Sequence, residues 1–232
     1  MTPTIRAPQA EAKFALAEGR AGVALALLRQ HCRPDAEHPA NVVSSLYYDT
    51  RDRRGLYEKL NSDFLKTKFR LRWYRDLDGR FGTPGSFFEI KQRIGSARSK
   101  RRFEAPFDAS WLDGASLAEP ALARTAELLR SHGVHAPPLV PVFVIRYERH
   151  RFLEPSSGLR INLDRRITVA RSHPHLTGPR FRAALAQAVL EVKGAHAKEL
   201  PRPLWPALRL GCRLGSFSKY ATCYAAAVGA PR

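Results

Sequence analysis

The segment Lys66–Arg75 (KTKFRLRWYR) restricts the fold more than any other stretch of this chain. Its side chains alternate strictly. Lys66, Lys68, Arg70, Arg72 and Tyr74 fall on one side of an extended strand, and Leu65, Thr67, Phe69, Leu71 and Trp73 fall on the other. Such a strand buries one face against hydrophobic structure and turns the other towards something wet and anionic. A single strand of this kind is also compatible with a basic outer surface, so the rest of the sequence has to decide.

Other predicted strands repeat the pattern. The tripeptide Glu-x-Lys occurs at Glu11/Lys13, Glu89/Lys91 and Glu191/Lys193, and period two puts each Glu and Lys on one face. Arg160, Asn162 and Asp164 share a face opposite Leu159, Ile161 and Leu163, and Tyr147, Arg149 and Arg151 share another. Taken singly, a surface Glu–Lys pair contributes under ~1 kcal/mol and means little. Taken together, these segments are what a curled sheet needs if its polar side chains point into a lumen. Cations enclosed there without counter-ions would be too costly to desolvate, so a ligand must bring negative charge. Carboxylates scattered among the cations suggest a bound metal bridging to that ligand.

Along the chain, strands are predicted at 11–16, 41–49, 66–75, 86–93, about 99–103, 139–152, 159–169 and 186–193. Helical spacing is found at 20–31 and 117–132, with a polar connection or short helix at 51–60 and a short helix near Trp205. Asp-Gly and Pro-Gly turn signals lie within 76–85. No linker stands out, so the reading is one domain over 1–232, with the end of the chain (about 221–232) undetermined. The predicted class is α+β, mainly β: an eight-stranded antiparallel tunnel barrel with flanking helices.

Charge supports a polyanionic ligand. Lys and Arg number 39 against 21 Asp and Glu, a net +18, and half of that surplus falls between Lys59 and Arg102. Arginine forks grip phosphate oxygens bidentately and lysines add mobile point charge. There is no Walker loop, no GxGxxG and no Ser-His-Asp order, and His173 and His175 read as incidental loop residues. Cys32, Cys212 and Cys223 form no CxxC and read as reduced thiols. No signal peptide or membrane-spanning stretch is evident, so a cytoplasmic location is expected.

The ordered segments SLYYDT (Ser45–Thr50), LYEKL (Leu56–Leu60), KFRLRWY (Lys68–Tyr74), FFEIK (Phe87–Lys91), SKRRF (Ser99–Phe103), RYERHRF (Arg146–Phe152), LRINLD (Leu159–Asp164), AVLEVK (Ala188–Lys193) and SFSKY (Ser216–Tyr220) span almost the whole chain. In this the sequence resembles the VTC domain (vacuolar transporter chaperone type) of polyphosphate polymerases, within the wider group of triphosphate tunnel enzymes. The resemblance implies a tunnel that binds ATP or another triphosphate together with polyphosphate or pyrophosphate. It gives Lys13, Arg70, Arg72, Arg149, Arg160 and Lys219 catalytic roles in gripping and neutralising the transferred group. It gives Lys59, Lys91, Lys100, Tyr147 and Ser218 phosphate contacts, to which the charge pattern adds Lys68 and Lys193 as phosphate-binding candidates. Glu191 matches the metal-binding carboxylate, serving Mn²⁺ or Mg²⁺, with Glu89 and Glu11 as secondary metal candidates.

Two positions depart from the related pattern. The first strand offers Glu11-Ala12-Lys13 where tunnel triphosphatases carry Glu-x-Glu-x-Lys, which favours transfer over two-metal hydrolysis. Position 59 is Lys where Arg is expected. Hydrolysis of a triphosphate in the same tunnel is the alternative reaction. A non-catalytic binder of polyphosphate or nucleic acid is the alternative class, with Trp73, Tyr74 and Tyr147 available to stack on bases. Nucleic acid is disfavoured because the cations are patterned on strand faces and no basic tail is present.

Overall fold

The computed structural model describes residues 10–82, 85–95, 97–177, 181–195 and 197–228. In chain order these form β1 (Ala10–Ala17), α1 (Ala21–His31), β2 (Arg33–Pro34), β3 (Ala40–Asp49), α2 (Arg54–Leu60), β4 (Leu65–Arg75), β5 (Ser86–Ile94) and β6 (Ala97–Ala105). There follow α3 (Ala109–Gly114), α4 (Pro120–Ala123), α5 (Thr125–Ser131), β7 (Val140–Leu153), β8 (Arg160–Ser172), β9 (Gln187–Gly194), α6 (Pro206–Arg209), β10 (Arg213–Leu214) and α7 (Lys219–Val228). Pro84 and residues 229–232, which fall within the turn signal and the undetermined tail of the sequence reading, lie outside the described residues.

The strands make one antiparallel sheet in the order β10-β1-β9-β8-β7-β3-β4-β5-β6, with β2 paired to β7. This corrects the expected eight-stranded closed barrel: the described residues form ten strands, and among them the sheet is not closed by hydrogen bonds. The two extra strands, β2 and β10, are two-residue pairings. The rim strands β6 and β1 meet through charged side chains, Arg98 Nη1 lying 3.9 Å from Glu11 Oε2. A closed eight-stranded barrel leaves an interior just wide enough for its own side chains; an open one leaves room for hydration and a ligand.

Two apolar clusters cover the convex face. One joins Phe14, Leu16, Leu28, Ile161, Leu163 and Leu190 beneath α1 and the 197–212 segment. The other joins Leu46, Phe69, Leu71, Trp73, Phe88 and Ile90 beneath α3, α4 and α5. The alternation of β4 is thus realised: Leu71 and Trp73 are fully buried outward while Arg70 and Arg72 face inward. The expected helix at 117–132 is broken at Arg124 into α4 and α5, and Thr125 turns its hydroxyl back to the Leu122 carbonyl at 2.6 Å. Sequence reasoning missed α3, which Asp108 caps by accepting from the backbone N–H groups of Ser110 and Trp111.

The third cluster lies on the concave side. Val43, Tyr47, Phe143, Ile145, Tyr147 and Val189, from the inward face of the sheet, pack against Leu56 of α2 and against Tyr220, Ala221 and Cys223 of α7. An irregularity in the β7–β8 register beside Arg166, a non-glycine residue at φ 52°, inserts an extra residue into β8. It changes the phase of the strand, so Asp164 and then Ile167 and Val169 point to the same side. One end of the concavity is therefore apolar and filled by α7, and the remainder is polar.

Candidate functional site

The polar part of the concavity is organised around four carboxylates, each surrounded by cations. Asp164 is fully buried and receives two bonds from the Arg149 guanidinium, Nε to Oδ1 and Nη2 to Oδ2, both at 2.6 Å, with Lys219 Nζ at 2.5 Å from Oδ2. Glu191 lies beside it, with Lys193 Nζ at 2.9 Å, Arg149 Nη2 at 3.1 Å, Lys13 Nζ at 3.7 Å and Lys219 Nζ at 3.9 Å. Across the channel Glu89 is held by Arg70 at 2.5 Å, Lys100 at 2.8 Å and Arg72 at 3.3 Å. Glu11, nearer the opening, has Lys13 at 3.5 Å.

Strand register makes this possible. Lys13 stands opposite Glu191, and Glu11 opposite Lys193, across β1 and β9. Arg149 stands opposite Asp164 across β7 and β8, and Arg70 opposite Glu89 across β4 and β5. The cross-strand pairs convert a period-two pattern in sequence into paired opposite charges in space.

Electrostatics separates these groups into two kinds. Burial works against the charge of Glu191, but Lys193, Arg149, Lys219 and Lys13 overcome it and hold the carboxyl well below its usual range. Glu89 behaves likewise under Arg72, Arg70 and Lys100. Burial also opposes the charge of Lys219, yet Asp164 and Glu191 raise its pKa. Lys68 and Lys91 are different. Burial, together with Lys13, Lys59, Arg70 and Lys66, pushes Lys68 down to about 7. Repulsion from Arg70, then burial, drives Lys91 well below its ordinary value. Among the described residues no carboxylate lies within ion-pair distance of either ammonium. The concavity holds more positive charge than its own carboxylates offset.

The C-terminal segment completes the wall. Lys59 Nζ donates to Ser216 Oγ at 2.6 Å, Lys68 Nζ to Ser218 Oγ at 3.2 Å, and Lys13 Nζ to the Phe217 carbonyl at 3.2 Å. Arg72 donates to Ser45 Oγ at 3.1 Å and to the Tyr147 hydroxyl at 3.3 Å. Tyr147 in turn presents its ring to Lys219 at 4.6 Å and Arg149 at 5.4 Å. Nearly every sequence-predicted site residue thus converges on one concavity. Arg160 is at its rim, exposed and in register with Lys193.

Three contributors were not picked out from sequence. Asp164 shares the LRINLD face with Arg160 and Asn162, but nothing in that pattern shows it would anchor Arg149. Ser45 lies one period from Tyr47 in SLYYDT, and its acceptor role depends on the register of β3 with β4. Asp49 ends β3, accepts from the backbone N–H groups of Gly55 at 2.8 Å and Leu56 at 3.0 Å, and accepts from the Tyr220 hydroxyl at 2.8 Å. It caps α2 and anchors α7 with one carboxylate.

Of the three aromatics considered for base stacking, Trp73 is fully buried on the convex side and donates to Asp113 at 3.2 Å. It is unavailable to a ligand.

The protein is thus a concave antiparallel sheet flanked by helices and lined with paired and surplus cations. Its fold is similar to that of a solved structure from Bacillus halodurans described as a "putative adenylate cyclase". That likeness has a TM-score of 0.52 and 11% identity, covering 90% of this chain and 92% of that one. A Pyrococcus horikoshii protein is also similar, with a TM-score of 0.48 and 13% identity over 92% of this chain and 97% of that one. No curated protein matches the sequence. Residues 9–228 match the VTC domain, and the chain belongs to the VTC domain family.

Proposed function

We propose that this domain transfers the γ-phosphoryl group of ATP to the end of a phosphate chain held in the same channel. One observation carries the reading: cations from separate strands converge on one concavity whose own carboxylates do not offset them, and among the described residues Lys68 and Lys91 have no carboxylate within ion-pair distance. A chain of phosphates, with repeated charge along a narrow path, offsets them.

The acceptor oxygen of a terminal phosphate is already anionic, so the step needs no general base. It attacks Pγ, a new P–O bond forms, the bond from Pγ to the β–γ bridging oxygen breaks, and ADP leaves with the electron pair. What the protein must supply is alignment and charge neutralisation. Arg70 and Arg72, steadied by Glu89, and Arg149, steadied by Asp164, offer pre-oriented forks to the oxygens of the transferred group. Lys13, Lys91 and Lys219 neutralise charge, and Arg160 and Lys193 extend the basic path at the rim.

A divalent ion fits the donor set in a limited way. Among the described residues no three His, Cys, Asp or Glu side chains gather into a cage. Glu11 and Glu191 nevertheless face the same place, with Lys13 Nζ within 4 Å of both, marking a place favourable to a cation. Mg²⁺ and Mn²⁺ commonly take one or two carboxylates and complete their shells with phosphates and water. Glu191, with Glu11, would hold the ion, which would neutralise phosphate charge. Glu89 is taken up by Arg70, Arg72 and Lys100 and serves to orient them.

Incubation with ATP and manganese tests the proposal. Long acid-labile phosphate chains are expected, and Glu191→Gln should abolish their metal-dependent formation while leaving the fold intact. Orthophosphate and ADP alone would replace transfer with hydrolysis; unaltered ATP beside tight tripolyphosphate binding would leave a binder.

A further inference from the structure

At the end of the channel away from α7, the inward face changes character. Tyr74 follows Arg72 by one period on β4, Phe87 stands opposite Arg72 on β5, and Arg102 reaches over from β6. The Arg102 guanidinium carbon lies 3.9 Å from the Phe87 ring centroid and 6.0 Å from that of Tyr74. The two rings are 6.4 Å apart and inclined by 58°. Tyr74 and Phe87 are half-buried, and Arg102, stacked over Phe87, is exposed, so the cluster is not sealed in a core. On β7, Arg151 is fixed by the His38 carbonyl at 3.0 Å and the Asn41 side chain at 3.2 Å.

We infer that Tyr74, Phe87 and Arg102 form a nucleobase cradle that seats the base of the donor nucleotide. The inference rests on the phosphate-channel reading above and adds which end the nucleoside occupies. Three points favour it. Planar guanidinium and aromatic faces are the surfaces on which bases stack without sequence readout. One strand period is about 6.6 Å, the scale of a ribose between a base and its first phosphate, so a base beside Tyr74 places phosphates at Arg72 and Arg70. The other end is filled by α7, whose Tyr220 stacks on Tyr47 at 5.2 Å and Phe143 at 5.0 Å. The donor then enters with its triphosphate directed inward from the cradle along Arg72 and Arg70 towards Lys68. Stacking of this kind is indifferent to which base is present, so a preference for nucleoside triphosphates over free tripolyphosphate is expected with little choice among ATP, GTP and CTP.

Titration of the full chain with ATP and, separately, with tripolyphosphate tests the cradle. Phe87→Leu and Arg102→Ala are each expected to weaken ATP binding about tenfold and leave tripolyphosphate binding within about twofold. Phe87→Tyr should restore ATP binding. Equal losses for both ligands would show a general disturbance of the channel and overturn the cradle, as would unchanged affinity for both. Failure of the wild-type chain to bind tripolyphosphate would instead sink the phosphate reading on which the inference rests. Arg102 is exposed, so its removal should leave folding intact and keep the comparison interpretable.

Discussion

At the scale of single residues, the most informative group is an amine. Lys68 has a pKa of about 7 in the folded chain against an ordinary value near 10.5, because burial and the positive charges of Lys13, Lys59 and Arg70 penalise its ammonium. Below about pH 7 the group is charged in both folded and unfolded chains, and the penalty is fully present. Between about 7 and 10.5 the unfolded chain binds the proton more readily, so this residue makes stability rise with pH across that window. Phosphates placed beside it restore the charged form. Tripolyphosphate binding at pH 8 should therefore take up protons, seen as a dependence of calorimetric enthalpy on buffer ionisation enthalpy. Lys68→Met should diminish that uptake. Binding with no net proton change in the wild-type chain would contradict the assignment.

Among elements, α7 shows how a segment with weak sequence signals acquires a defined place. Its apolar face replaces solvent over inward-pointing Tyr47, Phe143 and Ile145, and its first turn delivers Lys219 to Asp164. The Tyr220 hydroxyl fixes the helix to Asp49, which also caps α2; burial, then Asp49, pushes the Tyr220 pKa up, so the hydroxyl remains a donor. The need for a distant cap follows from Arg53, which precedes α2 at φ 60° and provides no side-chain cap. Tyr220→Phe should cost about 1 kcal/mol in urea unfolding and weaken tripolyphosphate binding several-fold, since Lys219 loses its guide. A variant with wild-type midpoint and affinity would show the bond contributes nothing.

Over the whole molecule, the net charge is +18, and the part of it gathered on the concave surface leaves that surface with more cations than carboxylates. Ligand that binds only the folded state stabilises it by RT ln(1 + [L]/Kd), about 2.7 kcal/mol at a hundredfold excess over Kd. Tripolyphosphate should raise the thermal midpoint by several degrees, and the rise should shrink as salt screens the exposed rim cations. An oligonucleotide at equal phosphate concentration should do less, because Trp73 is buried and the inner arginines are reached only through the channel. An equal rise would favour the nucleic-acid alternative. The sheet itself is open: β6 and β1 oppose each other through charged side chains rather than backbone bonds. No helix among the described residues is long and apolar enough to cross a membrane.

The amino-acid order alone established which side of each strand is charged. Period two is a local property of extended backbone, so Arg70 and Arg72 could be separated from Leu71 and Trp73 before any fold was known. The same locality made the helix at 20–31 and all eight long strands legible to within a few residues. Partnership was decided only in three dimensions. That Arg149 belongs to Asp164, Arg70 to Glu89, and Tyr220 to Asp49 depends on register between strands far apart in the chain and on a phase change beside Arg166. Closure was decided there as well, because whether β1 and β6 come into backbone pairing depends on the twist accumulated over the whole sheet. Local pattern specifies orientation; the sum of long-range charge and packing specifies who meets whom.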